Sequence, residues 1–221
     1  MLQGQQERQR ALQAYDILHS AREKLFDDLV ELAAYIFSVP VARIAFVGAA
    51  EVWHKASVGM PAQESMGPEH TLCSRAVLAE TPVLVFQDLP AGQATAATRE
   101  RRVRFYAGAP VCTTQGLAIG TVCLAGYEPR QFSPAEQQVL RQLAALVMQA
   151  LEARQETRTR AGEQAWEHRR EAAEAALHNQ MAVVRYLKAR GAGQVPVPPD
   201  LLEPIAKRLE EVAEALRQPA P

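Results

Sequence analysis

The sequence predicts a mixed α and β chain: a helix, a region of short strands, a closing helix and then a helical hairpin. Three observations carry this. Near both ends apolar residues recur every three or four positions, the helical period. Between about residues 41 and 126 they gather into short runs closed by glycine or proline. A proline-rich VPVPPD then separates the last two helical stretches.

The first stripe runs Leu12, Tyr15, Leu18, Arg22, Leu25, Leu29, Leu32 and Ile36, with one basic interruption, and predicts one continuous helix over about 5–37. Pro40 stops it, because proline lacks the N–H and clashes with the preceding turn. VARIAFVG and VWHKASVG read as strands closed by glycine, LCSRAVLAE at 72–80 as a short helix, and TPVLVFQDLP as a buried strand. Phe105 to Cys112 and Leu117 to Leu124 form a hairpin around Thr113-Thr114-Gln115-Gly116. A turn centred near Gln115–Gly116 pairs Cys112 with Ile119 and Cys123 with Gly108, which keeps those two thiols apart.

Ser133-Pro134-Ala135-Glu136 is a capping box with proline at the first helical position, and Leu140, Leu143, Val147 and Leu151 make the buried face of the helix it starts. The stretch RQETRTRAGEQ is almost wholly polar, as on a solvated helix. Apolar positions return at Trp166, Ala173, Leu177, Val184 and Leu187, and Gly191-Ala192-Gly193 stops that helix. Asp200 to Glu203 offers a second capping box, and Leu201, Ile205, Leu209, Val212 and Leu216 stripe the last helix. Two such helices make a thin hairpin that cannot bury its stripes alone. Homodimerisation, coiled-coil-like, through Leu151, Trp166, Leu177, Val184 and Leu209 is the simplest cover.

The totals narrow the class. A net charge of −1 gives no bulk attraction to nucleic acid or to an anionic membrane. The amino-terminal MLQGQQERQR lacks the apolar core of a signal peptide. Three cysteines without paired spacing fit a reducing, cytoplasmic setting.

The segments AYDILHSAREKLFDDLVELAAYIFSVPVARIAFV, VWHKASVGM, LCSRAVLAETPVLVFQDLP and RFYAGAPV…GLAIGTVCLAGYEPRQFSPAEQQVLRQLAALV together resemble a GAF domain. The type is the bacterial sensory one found ahead of histidine kinases and cyclic-dinucleotide enzymes. The resemblance implies an α+β fold, an antiparallel sheet with the terminal helices on one face and a small-molecule cleft on the other. It divides the chain into a helical extension (1–11), a GAF domain (12–153), a linker helix (154–192), a proline linker (193–199) and a last helix (200–217). It also implies dimers joined through the terminal helices.

Some polar positions common on the family's pocket side are replaced here by Gly48, Gly92-Gln93-Ala94-Thr95, Gly126 and Ser65-Met66-Gly67, which leaves an apolar or vestigial pocket open. The ligand-pocket residues implied are Trp53, Cys73, Arg104, Tyr106 and Cys123, with cofactor and ligand unspecified. The function expected is non-catalytic sensing by a two-component-type regulator whose output lies in a separate protein. One alternative is a reductase of free methionine sulfoxide using Cys73, although buried filling is the simpler role for Cys73, Cys112 and Cys123. The other is a phosphotransfer adaptor through His178, whose LHNQMA context lacks the acid and proline such hairpins carry. The run Arg99, Arg101, Arg102 and Arg104 offers an anion site or a solvated loop. His19, His54, His70, His168 and His178 show no metal spacing.

Overall fold

The computed structural model describes residues 2–61, 64–160, 163–190 and 196–217. The glycine stop at 191–193, the side chain of Leu187 and the middle of the polar stretch at 154–164 lie outside the described residues. Six strands form one antiparallel sheet: β1 (Val41–Val47), β2 (Val52–Val58), β3 (Glu64–Met66), β4 (Leu84–Phe86), β5 (Phe105–Cys112) and β6 (Ala118–Gly126). Their spatial order is β3-β2-β1-β6-β5-β4. The first and last strands along the chain segment, β1 and β6, therefore lie side by side at the centre.

The hairpin forms as its sequence dictates. Thr113 and Gly116 close the turn with Gly116 at φ +78°, a conformation that costs glycine nothing. Gly108 pairs with Cys123 as expected, whereas a bulge sets Cys112 opposite Ala118 instead of Ile119. The run TPVLVFQDLP gives only the short β4, half-buried at the sheet edge rather than a buried strand. One register shift matters. Ile44 pairs with Ala56 and Ala45 with His54, so Lys55 is the extra residue of a β-bulge.

Helices α2 (Lys24–Phe37) and α5 (Pro134–Arg160) pack on one face of the sheet through Leu25, Phe26, Leu29, Leu140, Leu143 and Val147. The predicted single amino-terminal helix is broken. Helix α1 (Leu2–Ala14) ends before a link in which Asp16 and His19 take positive φ. The reason lies elsewhere in the chain. Lys55, fully buried by its bulge, donates to Ser20 Oγ at 2.7 Å, to the Ala21 carbonyl and to Glu23 at 2.9 Å. Arg154 from α5 donates to the carbonyls of Tyr15 and Asp16 and pairs with Glu23 at 3.2 Å. A helix through 15–23 would spend those carbonyls internally and strand two buried cations. Nor is α1 a loose extension, because Arg8 donates to Val47 O at 2.6 Å and Leu12 is in the core.

The carboxyl-terminal helices form a second layer. Helix α6 (Glu163–Arg190) packs on α2, and α7 (Pro199–Arg217) packs on both α5 and α6. Leu151, Trp166, Leu177, Val184 and Leu209 are all buried within one chain. The stripes that pointed to a dimer seam thus cover one another, and α5 supplies the third surface the thin hairpin lacked. Asp200 is no cap either. Helix α7 begins at Pro199, with the Pro198 carbonyl accepting from Leu201 and Leu202, so Asp200 sits in the first turn, where the helix dipole favours it.

The Ser133 capping box is complete. Glu136 N donates to Ser133 Oγ at 3.2 Å and Ser133 N to Glu136 Oε2 at 2.8 Å. The fully buried Glu136 also accepts from Arg130 and, at 3.1 Å, from Val197 N, which fastens the approach to α7. Replacing Glu136 with Gln should cost about 3 kcal/mol, because the Arg130 cation is left uncompensated in the interior; the urea midpoint measures it. Leu209→Asp should loosen α7 from α5 and α6, seen as new proteolytic cleavage within 196–217, with the light-scattering mass unchanged.

Candidate functional site

Strand alternation divides the sheet into two buried faces. Ala42, Ile44 and Phe46 of β1 face the helices, whereas Val41, Arg43, Ala45 and Val47 face the other way. On that second face lie His54 of β2, Tyr106 of β5 and Thr121, Cys123 and Ala125 of β6, each following from its pairing partner. A 3-10 turn at Pro68–His70, helix α3 (Leu72–Leu78), the segment around Met60 and helix α4 (Ala96–Glu100) cover them. Between sheet and cover lies a cavity of about 70 Å³, walled by Val41, Leu72, Val103, Tyr106, Cys73 and Cys123 among others.

Two guanidinium groups brace its rim. Arg43 donates to Pro61 O at 2.9 Å and approaches Met60 Sδ at 3.8 Å, while Arg101 approaches the same sulfur at 3.2 Å. At the floor, Tyr106 lies across Gly108. A Cβ at position 108 would meet Tyr106 Oη at 2.5 Å, so the ring keeps its place only because residue 108 has no side chain. Tyr106 Oη is buried and has no hydrogen-bond partner.

Cys73, near the start of α3, and Cys123, at the middle of the sheet, bring their sulfurs to 3.6 Å. Both thiols are buried and free. Their environments are unequal. The contact from Cys123, reinforced by His54 and opposed by burial, holds Cys73 well below the ordinary thiol range. Cys123 is pushed well above it, first by that same contact with Cys73 and then by burial. Burial and the neighbouring sulfurs push Tyr106 well up, so its phenol stays protonated.

Of the expected pocket residues, Cys73, Tyr106 and Cys123 line this cavity together. Trp53 and Arg104 do not. Trp53 pairs with Phe46 and so points to the helix side, where its ring lies 4.6 Å from that of His19. Arg104 precedes β5 and turns into solvent, clasping Asp88 with two bonds of 2.8 Å. The arginine run is split: Arg101 turns to the cavity rim, whereas Arg99, Arg102 and Arg104 line one surface hollow with Asp88. Cys112 is exposed at the sheet end, not buried filling. His178 is exposed on α6 beside Lys24, Asp28 and Glu31 of α2. Sequence reasoning missed Arg43, His54 and Met60, since both faces of these strands are buried and the period alone does not say which one meets the cavity. No group of three or more acidic, histidine or cysteine side chains suited to a metal occurs among the described residues.

The sequence profile of the GAF domain matches residues 21–151, more than half the chain. The protein belongs to the GAF domain family. The GAF segment thus comprises α2 to most of α5, with α6 and α7 outside the matched span. A cyclic di-GMP phosphodiesterase from Pseudomonas aeruginosa is 29% identical over 150 residues, which is 64% of this chain but 24% of that protein. This chain therefore spans only about a quarter of that relative's length. A free methionine-R-sulfoxide reductase from Neisseria meningitidis, solved with its substrate, shares the fold with a TM-score of 0.52 and 16% identity, over 66% of this chain and 87% of that one. The GAF domain of an Acinetobacter phosphoenolpyruvate-protein phosphotransferase aligns with a TM-score of 0.48 and 19% identity, over 67% of this chain and 92% of that one. No described helix is long and apolar enough to cross a membrane.

The unequal thiols of this GAF domain have a spectroscopic consequence. Thiolate absorbance, taken as wild type minus Cys73→Ser, should persist below the usual cysteine range and vanish as the pH falls through the depressed Cys73 value. A normal titration midpoint would show that the contact with Cys123 does not stabilise the Cys73 thiolate.

Proposed function

We propose that this GAF domain is a non-catalytic sensor in which a very small molecule occupies the cavity behind the sheet and biases the packing of the helices in front. The observation that carries the reading is the cavity between α3 and the central strands. At about 70 Å³ it has room for a few water-sized groups, each needing roughly 10–15 Å³. Sites for drug-sized ligands run to roughly 300–1,000 Å³. A cyclic dinucleotide or a tetrapyrrole has no room there.

The route to the helices is short. Arg43 and Cys123 face the cavity from β1 and β6, and the intervening residues of those strands, Ile44, Val122 and Leu124, pack in the helix-side core. A ligand worth about 1–3 kcal/mol of differential affinity suffices for coupling of this kind. The Pseudomonas relative suggests cyclic di-GMP turnover as the output served, with this chain regulating it rather than performing it.

A reductase acting on free methionine sulfoxide is the second reading, and the Cys73–Cys123 pair is the observation in its favour. The small volume of the cavity, about 70 Å³, counts against it. Turnover of the sulfoxide by wild type but not Cys73→Ser would decide for the enzyme.

Native mass spectrometry of the freshly purified chain should find a small retained species that the cavity-filling Ala125→Leu abolishes. Hydrogen exchange across α2 and α5 should be slower in the occupied protein than in the variant. A wild type that carries nothing and exchanges like Ala125→Leu is no ligand sensor.

A further inference from the structure

The GAF cavity holds a chemical group that ligand binding does not use. Two free thiols from segments 50 residues apart meet at 3.6 Å in its wall, and a third cysteine stands exposed elsewhere. Disulfide formation needs the sulfurs to close from 3.6 Å to about 2.05 Å, a movement of roughly 1.5 Å. The sulfurs already face one another across van der Waals contact, with neither helix nor strand between them.

We propose that Cys73 and Cys123 form a dithiol switch which a hydroperoxide small enough to enter the cavity oxidises to a disulfide joining α3 to β6. The roles divide between the two sulfurs. Cys73, held as the more acidic thiol by Cys123 and His54, is the nucleophile, and Cys123, kept protonated, resolves. In the first step the Cys73 sulfur attacks the terminal oxygen of the hydroperoxide. The S–O bond forms, the O–O bond breaks, and the departing oxygen leaves as water or alcohol with the proton Cys73 gave up. In the second step the Cys123 sulfur attacks the sulfenic sulfur of Cys73. The S–S bond forms, the S–O bond breaks, and hydroxide leaves as water with the Cys123 proton. Two electrons pass from two thiols to one peroxide.

The surroundings suit that chemistry. Tyr106 Oη, protonated and buried beside both sulfurs, is placed to donate to the departing oxygen. The cavity volume of about 70 Å³ favours hydrogen peroxide over bulky aryl hydroperoxides. The outcome is mechanical. Helix α3 covers the cavity, so a covalent bond from its first turn to the central strand fixes cover to floor. The switch does not depend on ligand sensing, because the thiol pair needs only that a hydroperoxide reach the cavity, and a resident ligand would compete with it for that space.

The test uses the full chain, reduced and then treated with one equivalent of hydrogen peroxide or of cumene hydroperoxide before the remaining thiols are alkylated. With hydrogen peroxide, peptide mapping should find Cys73 joined to Cys123 within one chain, and Cys112 alkylated. Cumene hydroperoxide should give at least tenfold less of that linked peptide. In Cys123→Ser, dimedone should trap sulfenic acid on Cys73, whereas Cys73→Ser should give no trapped species at Cys123. The mapping of wild type needs no variant to fold. Three alkylated cysteines after hydrogen peroxide, or a linkage found only through Cys112 between chains, would overturn the proposal.

Discussion

A carboxylate shut away from water has to be surrounded by donors, and the position of Glu136 shows how much of the chain answers that requirement. It accepts from the Arg130 guanidinium, from Ser133 N at the start of α5 and from Val197 N on the approach to α7. Arg130 in turn donates to the Phe37 carbonyl at the end of α2 and lies over the rings of Phe105 and Phe132. Its backbone N–H reaches the Gln87 carbonyl just beyond β4. Two helices, two sheet segments and the last connection therefore converge on one ion pair. Burial makes such a pair expensive to build and more expensive to break, because either partner alone is an unpaired charge in a low-dielectric interior. The helix layers are thereby held in fixed relation to the edge of the sheet that flanks the cavity.

A second ionic cluster, around the half-buried Glu23, ties sheet to helices in the same way. Glu23 receives both Lys55 from the sheet and Arg154 from α5, and the link between α1 and α2 gives up its carbonyls to those cations. The sheet thus carries charge contacts on its helix face and thiol chemistry on its other face. β1 and β6 are shared by both. Only the thickness of a single pleated layer separates Cys123 from the residues of β1 and β6 that pack in the helix-side core.

Much of this was legible in the order of residues, and the remainder failed for identifiable reasons. Local signals performed well: the hairpin turn at Gly116, the Ser133–Glu136 box and the stripe Ile205, Leu209, Val212 and Leu216 are decided by neighbours within a turn or two, although Leu202 rather than the expected Leu201 takes the first buried place. The break at 15–23 was hidden, because its cause is a lysine on a bulge and an arginine on another helix, both far along the chain. Trp53 was misplaced since alternation separates Trp53 from His54 without saying which side meets the cavity. Cys73 and Cys123 met for a reason no spacing rule contains, namely that α3 lies over β6. The apolar stripes of α6 and α7 were read correctly as needing cover, but the cover came from the same chain.

The connection at Val197 has a directional consequence for the final helix. Its anchor to Glu136 is at the root of α7, Gln180 of α6 donates to Glu211 midway along, and Arg217 in the last described turn donates to Ala213 O of its own helix. Traction applied to the distal end would unzip Leu216, Val212 and Leu209 in turn and reach the ionic clasp last. Anything gripping the tip would meet graded, springlike yielding, while a pull from the root would have to rupture the clasp first.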